Sequence, residues 1–166
     1  LCMELLKNAL EGGHRVLVFS QFTSMLEILV QRMQQENISC CVLNGSTSKE
    51  DRAKLVERFQ KEEVPVFCIS LKAGGTGLNL TAADMVIHFD PWWNAAVENQ
   101  ATDRAHRIGQ KQVVTVYRLI AKNTIEEKIL KLQEAKKELA QQVLSGDELK
   151  SASFTREELL GLLEYV

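Results

Sequence analysis

The chain has 166 residues, of which 45% are hydrophobic and 25% charged, which is typical of one globular domain with a sizeable core. Its formal net charge is −2, with 20 Lys and Arg against 22 Asp and Glu, so any contact with a nucleic acid must be local. Its apolar runs are far shorter than the roughly 20 residues of a membrane-spanning helix, and we expect no membrane association.

The first predicted elements form a strand and helix unit that occurs twice. The apolar run at residues 16–19 predicts a strand, and apolar side chains at helical spacing over residues 25–33 predict a helix. Residues 38–43 predict the second strand. Ser48 is then expected to cap a helix with Asp51 at its third position.

Three more strands are predicted over residues 66–70, 85–89 and 113–120. Strands that alternate with helices indicate an α/β fold with a mostly parallel sheet and helices on both faces. From Thr124 to about Ser145 a helical period predicts a long amphipathic brace, and a short leucine-rich helix follows. We therefore predict a lobe, residues 1–122, and a C-terminal helical extension packed on it, residues 123–166.

The four cysteines have no metal-binding spacing. Cys2, Cys40, Cys41 and Cys68 form no C-x-x-C motif and have no histidine pair nearby, which argues against a zinc site. The last three lie in apolar, strand-like runs, where reduced cysteine packs as a small hydrophobe. We expect core packing and a reducing compartment.

A glycine-rich loop, residues 72–80, follows the third predicted strand. Three glycines in four residues let the backbone approach a ligand and present N–H groups to phosphate oxygens. The loop matches neither the G-x-x-x-x-G-K-[ST] phosphate loop nor the G-x-G-x-x-G dinucleotide pattern. A tight structural turn is therefore an equally good interpretation of this loop taken alone.

The segment of residues 98–110 carries Gln100, Arg104 and Arg107 at positions i, i+4 and i+7. On a helix these side chains would project from one face, and two guanidinium groups with an amide form a clamp for a polyanion. The alternative is a solvated helix in which Arg104 pairs with Glu98 or Asp103.

Both tryptophans, Trp92 and Trp93, follow the fourth predicted strand. Adjacent residues of an extended segment point in opposite directions, so we expect at most one of them to be fully buried. One interpretation is an aromatic plug at the edge of the core, and the other is a stacking contact with nucleic acid.

Together these segments resemble the second RecA-like lobe of the Swi/Snf-type family of helicase superfamily two. The resemblance spans residues 16–131, and its core is SLKAGGTGLNLTAADMVIHFDPWWNAAVENQATDRAHRIGQ, residues 70–110. VLVFSQF, residues 16–22, and LNGSTSKEDRAKLVERF, residues 43–59, add to it. Two residues depart from the common pattern: Ala95 stands in place of proline, and Leu71 in place of threonine.

The resemblance implies an ATP-dependent translocase whose first lobe holds ATP and its Mg²⁺. Arg104 and Arg107 would be arginine fingers, and Gln100 would contact the region of the γ-phosphate. Gly75, Gly77 and Asn79 would lie near the nucleotide ribose. No metal ligand is expected within this chain.

The resemblance also implies a track for double-stranded DNA. Phosphate contacts give grip without sequence preference. The implied DNA-contacting residues are Ser20, Gln21, Gly45, Ser46, Thr47, Lys72, Thr76, Trp92 and Trp93.

The expected partners are duplex DNA, the first lobe of the same polypeptide and DNA-bound proteins. The location would be nucleoid-associated cytoplasm in a prokaryote or the nucleus in a eukaryote. Two other functions stay open: a non-catalytic DNA- or protein-binding module, and a helicase that separates strands or acts on RNA.

Overall fold

The computed structural model describes residues 1–73, 78–92, 94–105, 110 and 113–145. The elements formed by these residues are, in chain order, α1 (Cys2–Glu11), β1 (Val16–Ser20), α2 (Thr23–Gln35), β2 (Cys40–Leu43), α3 (Lys49–Gln60), β3 (Val66–Ser70), β4 (Met85–His88), α4 (Ala95–Thr102), β5 (Thr115–Arg118) and α5 (Ile125–Ser145).

The five strands of the described residues form one sheet in the order β2-β3-β1-β4-β5. Each neighbouring pair is parallel, and Phe19 of β1 lies opposite both Ile69 of β3 and His88 of β4. Because parallel neighbours need crossover connections, this order requires the helices between the strands. The predicted α/β fold with a parallel sheet is confirmed.

Hydrophobic side chains cover both faces of the sheet. Along β1, Leu17 and Phe19 belong to one buried cluster, whereas Val16 and Val18 belong to the other, as expected from the alternation of side chains along a strand. The first cluster includes Phe59 of α3, and the second is closed by buried residues of α1 and α2. The prediction of helices on both faces is thereby confirmed.

Several predicted boundaries agree with the structure. β3 spans the predicted residues 66–70, and the Ser48 Oγ accepts a hydrogen bond from the Asp51 N–H at 3.1 Å, which confirms Ser48 as the cap of α3. The last predicted strand is shorter than expected. It is reduced to Thr115–Arg118, and all four of its residues are exposed. The leucine-rich final helix lies outside the described residues.

The cysteines are free thiols that pack in the core. Cys2, Cys41 and Cys68 are buried and Cys40 is partly buried, which agrees with the predicted core packing. Burial raises the pKa of Cys2 to about 11, so this thiol stays protonated near neutral pH.

The chain divides into two compact units, residues 1–120 and 121–166. α5 lies in the second unit, and the packing of the extension on the lobe stays a prediction. Among the described residues, no helix is both long and apolar enough to cross a membrane.

Candidate functional site

The segments that carry the predicted site residues meet at one edge of the sheet. Because β1, β2, β3 and β4 are parallel, their carboxyl ends share an edge, where open α/β sheets bind ligands. The described residues of the four segments that leave this edge are 21–22, 44–48, 71–73 with 78–84, and 89–92 with 94. The fold therefore brings the ends of the four segments that carry the predicted DNA contacts to one edge.

The start of the glycine loop is anchored to α3. The guanidinium of Arg52 donates to the carbonyl of Ala73 at 3.0 Å, and the Ala73 N–H donates to the Ser70 hydroxyl at 3.3 Å. Lys72 is exposed between two buried neighbours, Leu71 and Ala73. These bonds hold the backbone next to Lys72 at the edge of the sheet, and its contact with a phosphate stays a prediction.

The end of the glycine loop is held from two sides. The Gln60 side chain of α3 donates to the Asn79 carbonyl at 3.0 Å, and the Leu80 N–H donates to the Arg104 carbonyl at 3.0 Å. The Asn79 residue remains exposed. Three predicted residues of this loop, Gly75, Thr76 and Gly77, lie outside the described residues.

The loop after β2 is organised by Asn44, a residue that sequence analysis missed. Its side-chain oxygen accepts hydrogen bonds from the Ser46 N–H at 3.1 Å, the Ser46 hydroxyl at 2.7 Å and the Thr47 hydroxyl at 3.2 Å. Asparagine before Gly-Ser-Thr is a known turn signature, so the signal was present. The turn leaves Gly45 and Ser46 exposed and Thr47 partly exposed.

Ser20 and Gln21 are tied to Asp90, which follows β4. The Ser20 hydroxyl donates to one carboxylate oxygen of Asp90, and the Gln21 N–H donates to the other at 2.9 Å. Ser20 is fully buried, whereas Gln21 is partly exposed. The burial of Ser20 disfavours a direct side-chain contact with DNA, and its visible role is to fix the loop that presents Gln21.

Trp92 packs partly against the first hydrophobic cluster. Its backbone N–H donates to a carboxylate oxygen of Glu98 at 2.6 Å, and the other oxygen of Glu98 lies 3.2 Å from the Arg118 Nε. Trp93 lies outside the described residues, so the choice between the two tryptophans as a DNA contact stays open. The buried position of Glu98, at 0% exposure, was not predicted.

The prediction that Gln100, Arg104 and Arg107 project from one helical face is wrong for Arg104. α4 ends at Thr102, and Arg104 lies in the turn that follows. Gln100 is exposed, whereas Arg104 is only 3% exposed. Arg107 lies outside the described residues. The cause is the early end of α4, after which a 3.6-residue period no longer sets the direction of side chains.

His88 connects the sheet to the end of α4. Its Nε2 lies 3.0 Å from the Thr102 hydroxyl, and its ring stacks on Phe19 with 5.6 Å between the centroids. Burial, and secondarily the charge of Arg118, lower the pKa of His88 to about 4. The imidazole is therefore neutral at neutral pH and acts as a buried polar bridge.

Gln110 was part of the quoted motif but was given no role. Its side-chain amide nitrogen lies within hydrogen-bond distance of three carbonyls, those of Thr81 at 3.1 Å, Ala83 at 2.6 Å and Ala105 at 3.2 Å. These bonds join the segment after α4 to the segment after the glycine loop. Long-range contacts of this kind have no signature in sequence spacing.

Comparison with known proteins identifies relatives of the same architecture. Residues 1–109 match the model of the helicase conserved C-terminal domain. An uncharacterised ATP-dependent helicase of Mycoplasma pneumoniae is 47% identical over 98% of this chain and 16% of its own length. The chromatin-remodelling ATPase INO80 of Aspergillus oryzae is 49% identical over 86% of this chain and 10% of its own length.

A solved structure has the same fold. The crystal structure of the C-terminal part of the Fun30 ATPase domain superposes with a TM-score of 0.76 at 41% identity, covering 79% of this chain and 43% of that one. The chain spans only 16% of the length of the Mycoplasma pneumoniae helicase and 10% of the length of INO80 from Aspergillus oryzae.

Proposed function

This chain belongs to the helicase conserved C-terminal domain family, in its Swi/Snf-type branch, and from that premise we propose that it is the second motor lobe of an ATP-dependent double-stranded DNA translocase. Because the chain covers only a small part of its curated relatives, the activity would belong to a longer polypeptide. In that polypeptide a first RecA-like lobe would hold ATP and its Mg²⁺.

One observation carries the proposal: the end of the glycine loop is bonded to the segment that follows α4. The Leu80 N–H donates to the Arg104 carbonyl at 3.0 Å, and Gln110 bridges the same two segments. The predicted ribose loop and the predicted arginine segment thus form one connected unit. A lobe that must present both to a single nucleotide needs such a connection, because positioning supplies most of phosphoryl-transfer catalysis.

The proposed chemistry is charge neutralisation at the γ-phosphate. ATP with Mg²⁺ supplies the phosphoryl group that is transferred to water. Arg104 and Arg107 would neutralise the charge that develops on it, and the exposed amide of Gln100 would add a polar contact. Gly75, Gly77 and Asn79 would face the ribose; the exposed Asn79 suits that role.

The proposed DNA track runs along the carboxyl edge of the sheet. Exposed Lys72, Gly45 and Ser46, with partly exposed Gln21 and Thr47, offer a cation, hydroxyl groups and an amide for phosphate oxygens. Thr76 and the two tryptophans complete the proposed set of contacts, and buried Ser20 would act on DNA through the loop that presents Gln21. The parent protein would act on genomic DNA and its bound proteins, in the nucleoid-associated cytoplasm of a prokaryote or the nucleus of a eukaryote.

The test is ATP hydrolysis by the full-length parent with and without duplex DNA. Arg107→Ala should abolish most of the DNA-stimulated turnover, by about a thousandfold, with ATP binding largely kept. Arg107 suits the test better than Arg104, whose burial means that truncation would also disturb packing. The matched control is Arg32→Ala, which removes an arginine that is 61% exposed on α2 and should leave turnover unchanged.

Three results would contradict the proposal. A parent that hydrolyses no ATP with any duplex would instead be a non-catalytic DNA- or protein-binding module. Unchanged turnover in Arg107→Ala would place the finger elsewhere. Strand displacement or stimulation by RNA alone would indicate a strand-separating or RNA-directed enzyme.

A further inference from the structure

Glu98 is a buried carboxylate at the start of α4 with two partners on other segments. It is 0% exposed. One carboxylate oxygen accepts a hydrogen bond from the backbone N–H of Trp92 at 2.6 Å, and the other lies 3.2 Å from the Arg118 Nε on β5. A buried charge needs such partners, because an uncompensated carboxylate in the interior is strongly destabilising. Glu98 therefore joins the tryptophan segment, α4 and the edge of the sheet.

The start of α4 already has a cap of its own. The Asn94 side chain accepts a hydrogen bond from the Ala96 N–H at 3.0 Å, which satisfies one of the free N–H groups of the first turn. Glu98 makes its contacts outside the helix, a hydrogen bond from the Trp92 backbone N–H and an ion pair with Arg118. Glu98 thus fixes the placement of α4 relative to its neighbours, whereas the start of the helix is capped by Asn94.

The other end of α4 is held by a different polar contact. Thr102, the last helical residue, lies 3.0 Å from the His88 Nε2 on β4, and His88 is opposite Arg118 in the register of β4 and β5. α4 is thereby attached to the sheet at both ends. A shift of the tryptophan segment would act on the first attachment through Glu98 and move the helix as one body.

We propose that Glu98 is a positioning residue that transmits contact between the tryptophan segment and DNA to the arginine segment after α4. The inference rests on the proposed function. The Arg118 side chain is 42% exposed, and ion pairs open to water stabilise a fold by about 1 kcal/mol or less, so stability alone is a poor reason for a fully buried carboxylate here. A rigid link between the tryptophan segment and the arginine segment after α4 would explain why a carboxylate is buried at this position.

The test measures the stimulation ratio of the full-length parent, which is turnover at saturating duplex DNA divided by turnover without DNA. This ratio does not depend on the fraction of folded enzyme. Glu98→Ala, which removes both contacts, should lower the ratio about tenfold, while the KM for ATP and the Kd for duplex DNA change by less than about twofold. Glu98→Gln keeps an acceptor for the Trp92 N–H and should retain an intermediate ratio.

The control for a merely structural role is Leu6→Ala, a fully buried residue of α1 in the second cluster. The thermal unfolding midpoint of each variant is measured alongside. If Leu6→Ala lowers the ratio as much as Glu98→Ala at a similar midpoint, or if Glu98→Ala keeps the wild-type ratio, the inference is overturned. If Glu98→Ala does not fold, the stimulation ratio of Glu98→Gln is compared with the wild-type ratio instead. A wild-type ratio in Glu98→Gln then overturns the inference.

Failure of the inference can be told apart from failure of the proposed function. A wild-type parent without DNA-stimulated turnover contradicts the proposed function itself. A stimulated wild type that is sensitive to Arg107→Ala but indifferent to Glu98 substitutions contradicts only the inference.

Discussion

Two glycines of this chain have different physical reasons to be glycine. Gly13, at the turn after α1, has a φ of +77°, in the left-handed region that strains residues with a Cβ. Gly45 has no positive φ, and a Cβ built on it would meet nothing within 4 Å. The backbone conformation therefore favours glycine at residue 13. It gives no reason for glycine at residue 45, where the close approach of a ligand is a better explanation than the fold.

Gly45→Ala should leave the stability of the chain unchanged within about 0.5 kcal/mol and weaken binding of duplex DNA by the parent, because the added methyl group would separate a phosphate from the backbone. Urea unfolding and fluorescence anisotropy with labelled duplex measure the two effects. Gly13→Ala is the matched control and should have the opposite pattern, with a loss of about 1 kcal/mol and normal DNA affinity. Normal affinity in Gly45→Ala would remove this residue from the DNA track.

At the scale of elements, α4 is attached to the sheet through His88, whose charged form is disfavoured by burial. The pKa of His88 is lowered to about 4 by burial and by Arg118, compared with about 6.5 in an unfolded chain. The unfolded state therefore binds more protons than the folded state between these values. Stability is complete above pH 6.5 and falls as the pH drops toward 4.

His88→Gln should remove most of this pH dependence. From the two pKa values, we expect the His88 contribution to make the wild-type chain about 2 kcal/mol less stable at pH 5 than at pH 7, and the variant should lack that loss. Urea unfolding at the two pH values measures it. Equal pH dependence in wild type and His88→Gln would mean that His88 can take up a proton without leaving its site.

What could be predicted from sequence at this scale depended on the range of the interaction. The cap at Ser48 and the strand at residues 66–70 were predicted correctly because neighbours in sequence determine them. The direction of the Arg104 side chain was predicted wrongly, because a helical period does not indicate where α4 ends. The bonds of Asp90 to Ser20 and of Glu98 to Arg118 link residues 70 and 20 positions apart, and only the fold reveals them.

At the scale of the whole molecule, the proposed function gives this chain one wall of the ATP site and gives a first lobe the other. No G-x-x-x-x-G-K-[ST] sequence occurs in its 166 residues, so under the proposed function the backbone cradle and lysine that hold the phosphates of ATP would come from the first lobe. Arginine fingers accelerate transfer only when a nucleotide is already held in line with water and metal. The division of labour between lobes would make hydrolysis depend on their closure, and closure would be the step that moves DNA.

The purified 166-residue chain should therefore fold but not hydrolyse ATP, with or without duplex DNA, whereas the parent should do so in the same phosphate-release assay. A cooperative unfolding transition by circular dichroism establishes that the chain is folded, so that inactivity reflects the missing lobe. Arg107→Ala in the isolated chain identifies any residual signal: turnover that survives the substitution comes from a contaminant. DNA-stimulated turnover that disappears with Arg107 would mean that this chain holds a complete site, and the two-lobe account would be wrong.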